Sequence, residues 1–204
     1  MKRLDHVARR AAVACVVLVV LAFLVIAWFA RREEFSDLDR GARTLVREER
    51  AQALERPMRA LSVVGSGYVL LPVTLVCTVA LWCRRQHATA RAILVVGAAA
   101  PLVLALTKWL VNKPRPTLRG LGFPSGHVFG VTVFVVVGVY LLWRFEVPRR
   151  GQRLARAAGI VFIVAVGYSR LFVNAHWLSD VVGGLLAGLA FGVVAMLVMD
   201  RRLR

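Results

Sequence analysis

Acidic residues are scarce in this chain: 11 Asp and Glu stand against 28 Lys and Arg, for a formal net charge of +17. In a soluble protein that imbalance would suggest nucleic acid. Here the basic residues sit mostly in short segments between apolar runs, and no soluble basic domain is left to carry such binding. Nucleic acid is therefore not an expected partner. Cysteine is also sparse. Cys15 and Cys77 lie inside apolar runs, Cys83 follows one, and no metal-ligand spacing joins them. All three read as small hydrophobes, with no disulfide and no zinc. The first apolar run is too long for a signal-peptide core and lacks a convincing small-residue cleavage site after it, so it reads as a retained anchor. Repeats and a separate domain are lacking as well, and residues 1–204 read as one membrane-embedded domain.

What the chain has in quantity is apolar sequence. Hydrophobic residues make up 59% of it and the mean hydropathy is +0.68, above the balance of a soluble domain. Residues 11–30 run without a charge, enough to cross a bilayer as a helix. Further spans are expected at about 61–82, 90–110, 127–143, 157–175 and 177–199, which makes an all-α integral membrane protein with six transmembrane helices. After the first span, Phe35, Leu38, Ala42, Leu45 and Val46 recur at helical spacing, and Ser36 or Asp37 can cap the start. This predicts an amphipathic helix over roughly 36–56 on the membrane surface, with a solvated linker helix as the plain alternative. On the sixth span Gly184, Gly188 and Gly192 form a small-residue stripe suited to packing within or between chains, so the oligomeric state stays open.

Six spans put both termini and the connections at 83–89 and 144–156 on one side. That side carries more Lys and Arg, clearly so once Lys108, Lys113, Arg115, Arg119 and Arg170 beside the candidate site are set aside. The positive-inside rule then makes both termini cytoplasmic. Arg is abundant while Lys is confined to Lys2, Lys108 and Lys113, which hints at a GC-rich bacterial genome and so at a bacterial cytoplasmic membrane.

Three stretches bring polar chemistry up to the spans. Ser169-Arg170-Leu-Phe-Val-Asn-Ala-His176-Trp-Leu-Ser-Asp180 bridges the fifth and sixth. His176 and Asp180 are four apart, so on a helix they share a face. Ionisable groups set that deep among apolar residues are costly, and the default reading is functional. A neutral imidazole held by a carboxylate, with a guanidinium nearby, is equipped to attack or bind an anionic ester. The plain alternative pairs Arg170 with Asp180 at a helix junction. Lys108-Trp-Leu-Val-Asn-Lys-Pro-Arg115-Pro116 leaves the third span, and its Arg115 can bind two oxygens with a planar fork. Phe123-Pro124-Ser125-Gly126-His127 opens the fourth. Ser125 can cap that helix, Gly126 has no side chain to block close approach, and amides there would point at an anion. His127 can donate a proton to a leaving oxygen. Taken singly, these are also what an ordinary helix start and snorkelling cations look like. Counting spans puts all three stretches on the same side of the membrane. His6 and His87 fall on the opposite side and receive no role. A metal held by His176 and Asp180 would lack further carboxylates and sit among cations, so neither a metal nor another cofactor is expected.

Lys108-x6-Arg115-Pro116, Pro124-Ser125-Gly126-His127 and Ser169-Arg170-x5-His176-x3-Asp180 resemble the three-part signature of the type 2 phosphatidic acid phosphatase superfamily, complete and in order. The link between the first two parts, residues 117–123, is short for the family and leaves substrate preference open. The resemblance implies a metal-independent phosphatase working through a phosphohistidine. His176 would be the nucleophile, with Asp180 orienting it and stabilising its charge. Lys108, Arg115 and Arg170 would hold phosphoryl oxygens, helped by Ser125 and the Gly126 backbone. His127 would protonate the leaving alcohol and then activate water. Six spans separate this chain from the family's soluble vanadium haloperoxidases. The expected substrate is an anionic lipid (phosphatidic acid, phosphatidylglycerol phosphate or a polyprenyl diphosphate) reached from the outer face of the membrane. A non-catalytic protein that binds or moves anionic lipids would need the three cations, but not His127, His176 and Asp180.

Overall fold

The computed structural model describes residues 3–32, 34–48, 51–116 and 120–202. In chain order its helices are α1 (His6–Arg31), α2 (Ser36–Glu48), α3 (Glu55–Val64), α4 (Gly67–Cys83), α5 (His87–Val111), α6 (Gly126–Arg144), α7 (Arg149–Phe172) and α8 (Leu178–Arg202), with a 3-10 turn Gln52–Leu54 leading into α3. Helices are the natural outcome, since in lipid each backbone N–H and C=O must be satisfied within its own segment. Of these, α1, α5, α6, α7 and α8 are each long and apolar enough to cross a bilayer.

The second span departs from expectation. Instead of one helix over 61–82, Gln52–Val64 and Gly67–Cys83 meet at 44° across a break at Gly65 and Ser66. The Gly65 N–H closes α3 on Leu61 O, and Ser66 is extended before α4 begins. A Cβ at Gly65 would lie 2.7 Å from Val166 Cγ1, so glycine lets the break press onto α7. With this pair counted as one, the described residues hold six spans.

The surface helix is shorter than expected: α2 ends at Glu48, and residues 49–50 lie outside the described residues. It rests on α7 and α8. Asp39 is 3% exposed, whereas Leu38 and Leu45 are 59% and 63% exposed. The helix thus turns a polar group inward and leucines outward, as suits a membrane interface better than a solvated linker.

The centre of the bundle is the α6–α8 contact. A Cβ at Gly184 would lie 2.6 Å from Ser125 O, at Gly188 2.7 Å from Thr132 Cβ, and at Gly192 3.0 Å from Val136 Cβ. The glycine stripe therefore packs within the chain. Ile93, Phe129, Val133, Val137, Ala195 and Met199 build the core among α5, α6 and α8. Outward, Leu18, Leu24, Trp28, Leu94, Leu102, Trp109, Ile160 and Val161 are exposed. So broad an apolar belt is the lipid-facing surface of an integral membrane protein. At one end of the bundle Asp200 accepts from Leu4 N (3.1 Å) and Arg9 Nη2 (2.8 Å), tying the N-terminal segment to the end of α8. Lys2, Arg119 and Arg204, which entered the charge comparison, lie outside the described residues.

Candidate active site

At the other end α5 and α7 finish and α6 and α8 begin. Two asparagines make the turns. The α5 helix closes on Asn112, left-handed at φ 54, whose N–H returns to Lys108 O. Asn174 after α7 is left-handed at φ 55, and Arg43 of α2 donates from Nε to its side-chain oxygen at 2.8 Å. Asparagine is among the few non-glycine residues that adopt this conformation readily.

His176 and Asp180 were expected to share a helix face. Instead, His176 lies in the connection before α8 and Asp180 in its first turn. They meet all the same, His176 Nδ1 to Asp180 Oδ2 at 3.1 Å. The same oxygen accepts the Trp177 N–H at 3.1 Å, the reach-back half of a capping box. A spacing of four is thus satisfied by the start of a helix rather than along one. His176 is 4% exposed. Burial is the main cause that lowers the imidazole to about 4, and Arg170 and Lys108 push the same way against Asp180. At neutral pH the ring is uncharged. A carboxylate only accepts, so Nδ1 carries the proton and Nε2 keeps a free lone pair.

The structure brings the other expected residues around this pair, with changes of detail. Lys108 Nζ donates to Leu121 O, Gly122 O and Pro124 O at 3.1, 3.0 and 2.8 Å. Its three donors hold the 121–124 loop, and its charge rather than a free hydrogen bond faces the site. Arg115 Nε donates to Leu121 O at 3.1 Å, which turns its two terminal nitrogens into the fork that remains. Arg170 lies in the last turn of α7, its Nη1 bonded to Ser62 Oγ of α3 and its buried Nε without a partner among the described residues. Arg170 is therefore bound to Ser62, while Asp180 belongs to His176. Ser125 stands at the N-cap of α6, but its buried Oγ makes no capping bond and has no partner among the described residues. Its N–H donates to Asp180 O at 2.9 Å. A Cβ at Gly126 would lie 2.9 Å from Leu104 Cδ2, so glycine there relieves contact with α5. His127 lines a half-open cleft with Ser62, Ser66, Tyr68 and Arg170, within range of the charges of Arg170, His176, Arg115 and Lys108.

Three contributors escaped the sequence reading. Ser62 reaches the site because the second span breaks, and an uninterrupted helix hid that. Gly122 lies against the carboxylate: a Cβ there would sit 2.7 Å from Asp180 Oδ2. Asp39 bonds Ser179 and Lys113 beside Asp180. Its signal was visible, since it lies four residues after Phe35 and three before Ala42, an acid set into the repeating stripe of α2.

Comparison with known proteins bears on the family and the fold. The model of the PAP2 superfamily matches residues 112–204, a stretch holding Arg115, Ser125, Gly126, His127, Arg170, His176 and Asp180 but not Lys108. A 22.5 kDa protein of the cps region of Klebsiella pneumoniae is 32% identical over 152 residues, covering 70% of this chain and 68% of that protein. The undecaprenyl-diphosphatase of Sulfolobus acidocaldarius is 26% identical over 163 residues, covering 71% and 70%. The crystal structure of a transmembrane PAP2-type phosphatidylglycerolphosphate phosphatase from Bacillus subtilis superposes with a TM-score of 0.81 at 22% identity, over 88% of this chain and 93% of that one. That likeness establishes the shared fold.

Proposed function

The chain belongs to the PAP2 superfamily, and from that premise we propose that it hydrolyses an anionic lipid phosphate through a phosphohistidine, without a metal. One observation carries the reading: a buried, neutral imidazole held by Asp180 at 3.1 Å beside Arg170 and Lys108, with Arg115 close to both cations. Phosphoryl transfer asks chiefly for positioning and charge neutralisation, and three cations supply both.

Arg115 and Arg170 hold the phosphoryl oxygens, Lys108 adds its charge, and the Gly126 amide with Ser125 Oγ completes the cradle. Nε2 of His176 attacks phosphorus. The N–P bond forms as the bond from phosphorus to the leaving oxygen breaks, and His127 gives that oxygen its proton. The phosphorylated ring keeps its Nδ1 proton and gains positive charge, which Asp180 balances. His127, now neutral, takes a proton from water. The resulting hydroxide attacks phosphorus, the N–P bond breaks, and inorganic phosphate leaves with His176 restored.

The surroundings favour a lipid. An apolar cavity of about 250 Å³ runs from Gly126 between α4, α5 and α6, lined by Leu70, Ile93, Leu104, Phe129 and Val133. A tail can lie there while the headgroup sits at His176. The relatives motivate two head chemistries, a glycerophosphate monoester and a polyprenyl diphosphate. We place the site on the outer face of a bacterial cytoplasmic membrane, following the charge asymmetry of the loops.

The test is phosphate release by the purified protein in mixed micelles, across phosphatidic acid, phosphatidylglycerol phosphate and a polyprenyl diphosphate. Turnover of at least one is expected, and His176→Ala should lower kcat on the order of 10⁴-fold or more. Unaltered turnover in that variant would remove the nucleophile assignment. A wild-type protein that binds these lipids without releasing phosphate would instead be a carrier or binder.

A further inference from the structure

Beside the reacting pair lies a second buried cluster that the reaction above does not use. Asp39 of α2 accepts from Lys113 Nζ at 2.6 Å through Oδ2, from Ser179 Oγ at 2.7 Å through the same oxygen, and from Ser179 N at 2.9 Å through Oδ1. Lys113 Nζ also donates to Ser179 Oγ at 2.5 Å and stands 3.8 Å from Asp180 Oδ1. All four residues are buried, with Asp39 3% and Lys113 6% exposed.

Two physical facts give this cluster meaning. First, the N–H groups that open a helix need acceptors from outside, and Trp177, immediately before α8, has no side-chain acceptor to offer. Asp39 supplies one from another helix, at Ser179, the residue next to Asp180. Second, a buried charge is costly unless paired. Lys113 brings a positive charge within 4 Å of the carboxylate that must stabilise a cationic ring, and alone it would weaken that carboxylate. Asp39 cancels it. We infer that Asp39 and Lys113 form a neutral buried pair that positions Asp180 on His176 and sets the charge this couple feels, so that α2 is part of the catalytic apparatus. Neither residue touches substrate; both act through Asp180. The inference rests on the phosphatase reading above.

The pair's influence has a sign that a merely structural role lacks. His176 is faced by Asp180 from α8, Arg170 from α7, Lys108 from α5 and His127 from α6; Lys113, in the turn after α5, stands behind Asp180, Arg115 of the same turn acts on His127, and Arg43 of α2 lies 5.5 Å from the Trp177 ring. Lys113→Met removes a positive charge from this group and leaves Asp39 unbalanced, which favours the protonated ring. Asp39→Asn leaves Lys113 unbalanced, which disfavours it.

The experiment is the pH dependence of kcat/KM, with kcat and KM at neutral pH, for wild type, Asp39→Asn, Lys113→Met and the double variant. Lys113→Met should move the acid limb to higher pH and Asp39→Asn to lower pH, each on the order of half a unit or more. The double variant should return towards wild type. Asp39→Asn should lower kcat on the order of tenfold to a hundredfold with KM nearly unchanged. Acid limbs that coincide in all four proteins, with only the amount of active enzyme altered, overturn the inference. Should Asp39→Asn yield no folded protein, the shift in Lys113→Met decides alone. An inactive wild type would count against the phosphatase reading itself; an active wild type with coincident limbs counts only against the pair.

Discussion

Burial keeps His176 in the state that its proposed role as nucleophile requires. An exposed imidazole would be partly protonated near neutrality, and a protonated ring has no lone pair to offer phosphorus. Here loss of solvent outweighs the pull of Asp180 and holds the ring at about 4. The group's ionisation is therefore depressed, and the neutral form that the proposed reaction needs is present above that value. Activity should persist as pH falls from 7 towards 5 and decline through about 4, where the ring takes a proton. A pH–kcat/KM profile checks this, and a nucleophile limb near 6.5 would show that burial does not govern the ring. Lys108 offers a second lesson of this scale. Its three donors hold the 121–124 loop, so its value to the site lies in charge and in shaping the backbone that carries Ser125.

At the scale of elements, the site depends on how closely α8 approaches α6. Asp180 and Ser125 lie on opposite sides of that contact and are joined by the Ser125 N–H to Asp180 O bond at 2.9 Å. The glycine stripe sets the approach. A methyl at Gly188 would lie 2.7 Å from Thr132 Cβ and 2.9 Å from Phe129 O, whereas at Gly138 on α6 nothing lies within 4 Å. Gly188→Ala should therefore cost about 1–3 kcal/mol through overpacking. Gly138→Ala should cost nothing and can gain up to about 1 kcal/mol of helix propensity. Thermal midpoints in detergent separate the two, and equal midpoints would show that the stripe is slack. The broken second span works at the same scale: its Gly65 break brings Ser62 to Arg170 and Ser66 to the cleft of His127.

For the whole molecule, the polarity of the bundle is settled by its two ends. Asp200 gathers Leu4 and Arg9 at one, while the candidate site residues gather at the other. The candidate site therefore lies at one end of the bundle and both ends of the described chain at the other. With the positive-inside rule, a tag after Arg204 in intact bacterial cells should resist a membrane-impermeant protease, and a cysteine placed at the exposed Tyr68 should react with an impermeant thiol reagent. Cleavage of the tag from outside would reverse the proposed orientation.

Much of this was legible before any coordinates. Apolar runs of spanning length determined the helices, because lipid leaves the backbone no other partner than itself. The three polar stretches were recognisable because ionisable groups rarely survive among such runs without a use, and the parity of six spans brought them to one side. Contacts set by packing between segments were not legible. Gly65 reads as one more small residue until α7 presses on it, and Asp39 reads as a flaw in an amphipathic stripe until Lys113 and the start of α8 meet it. The spacing of His176 and Asp180 predicted their contact but misjudged its means, since four residues bridge a helix start as well as a helix turn. Local sequence determines which groups are present and on which side. Only the tertiary fold decides which of them are spent on one another, because a hydrogen bond between distant segments has no periodicity to announce it.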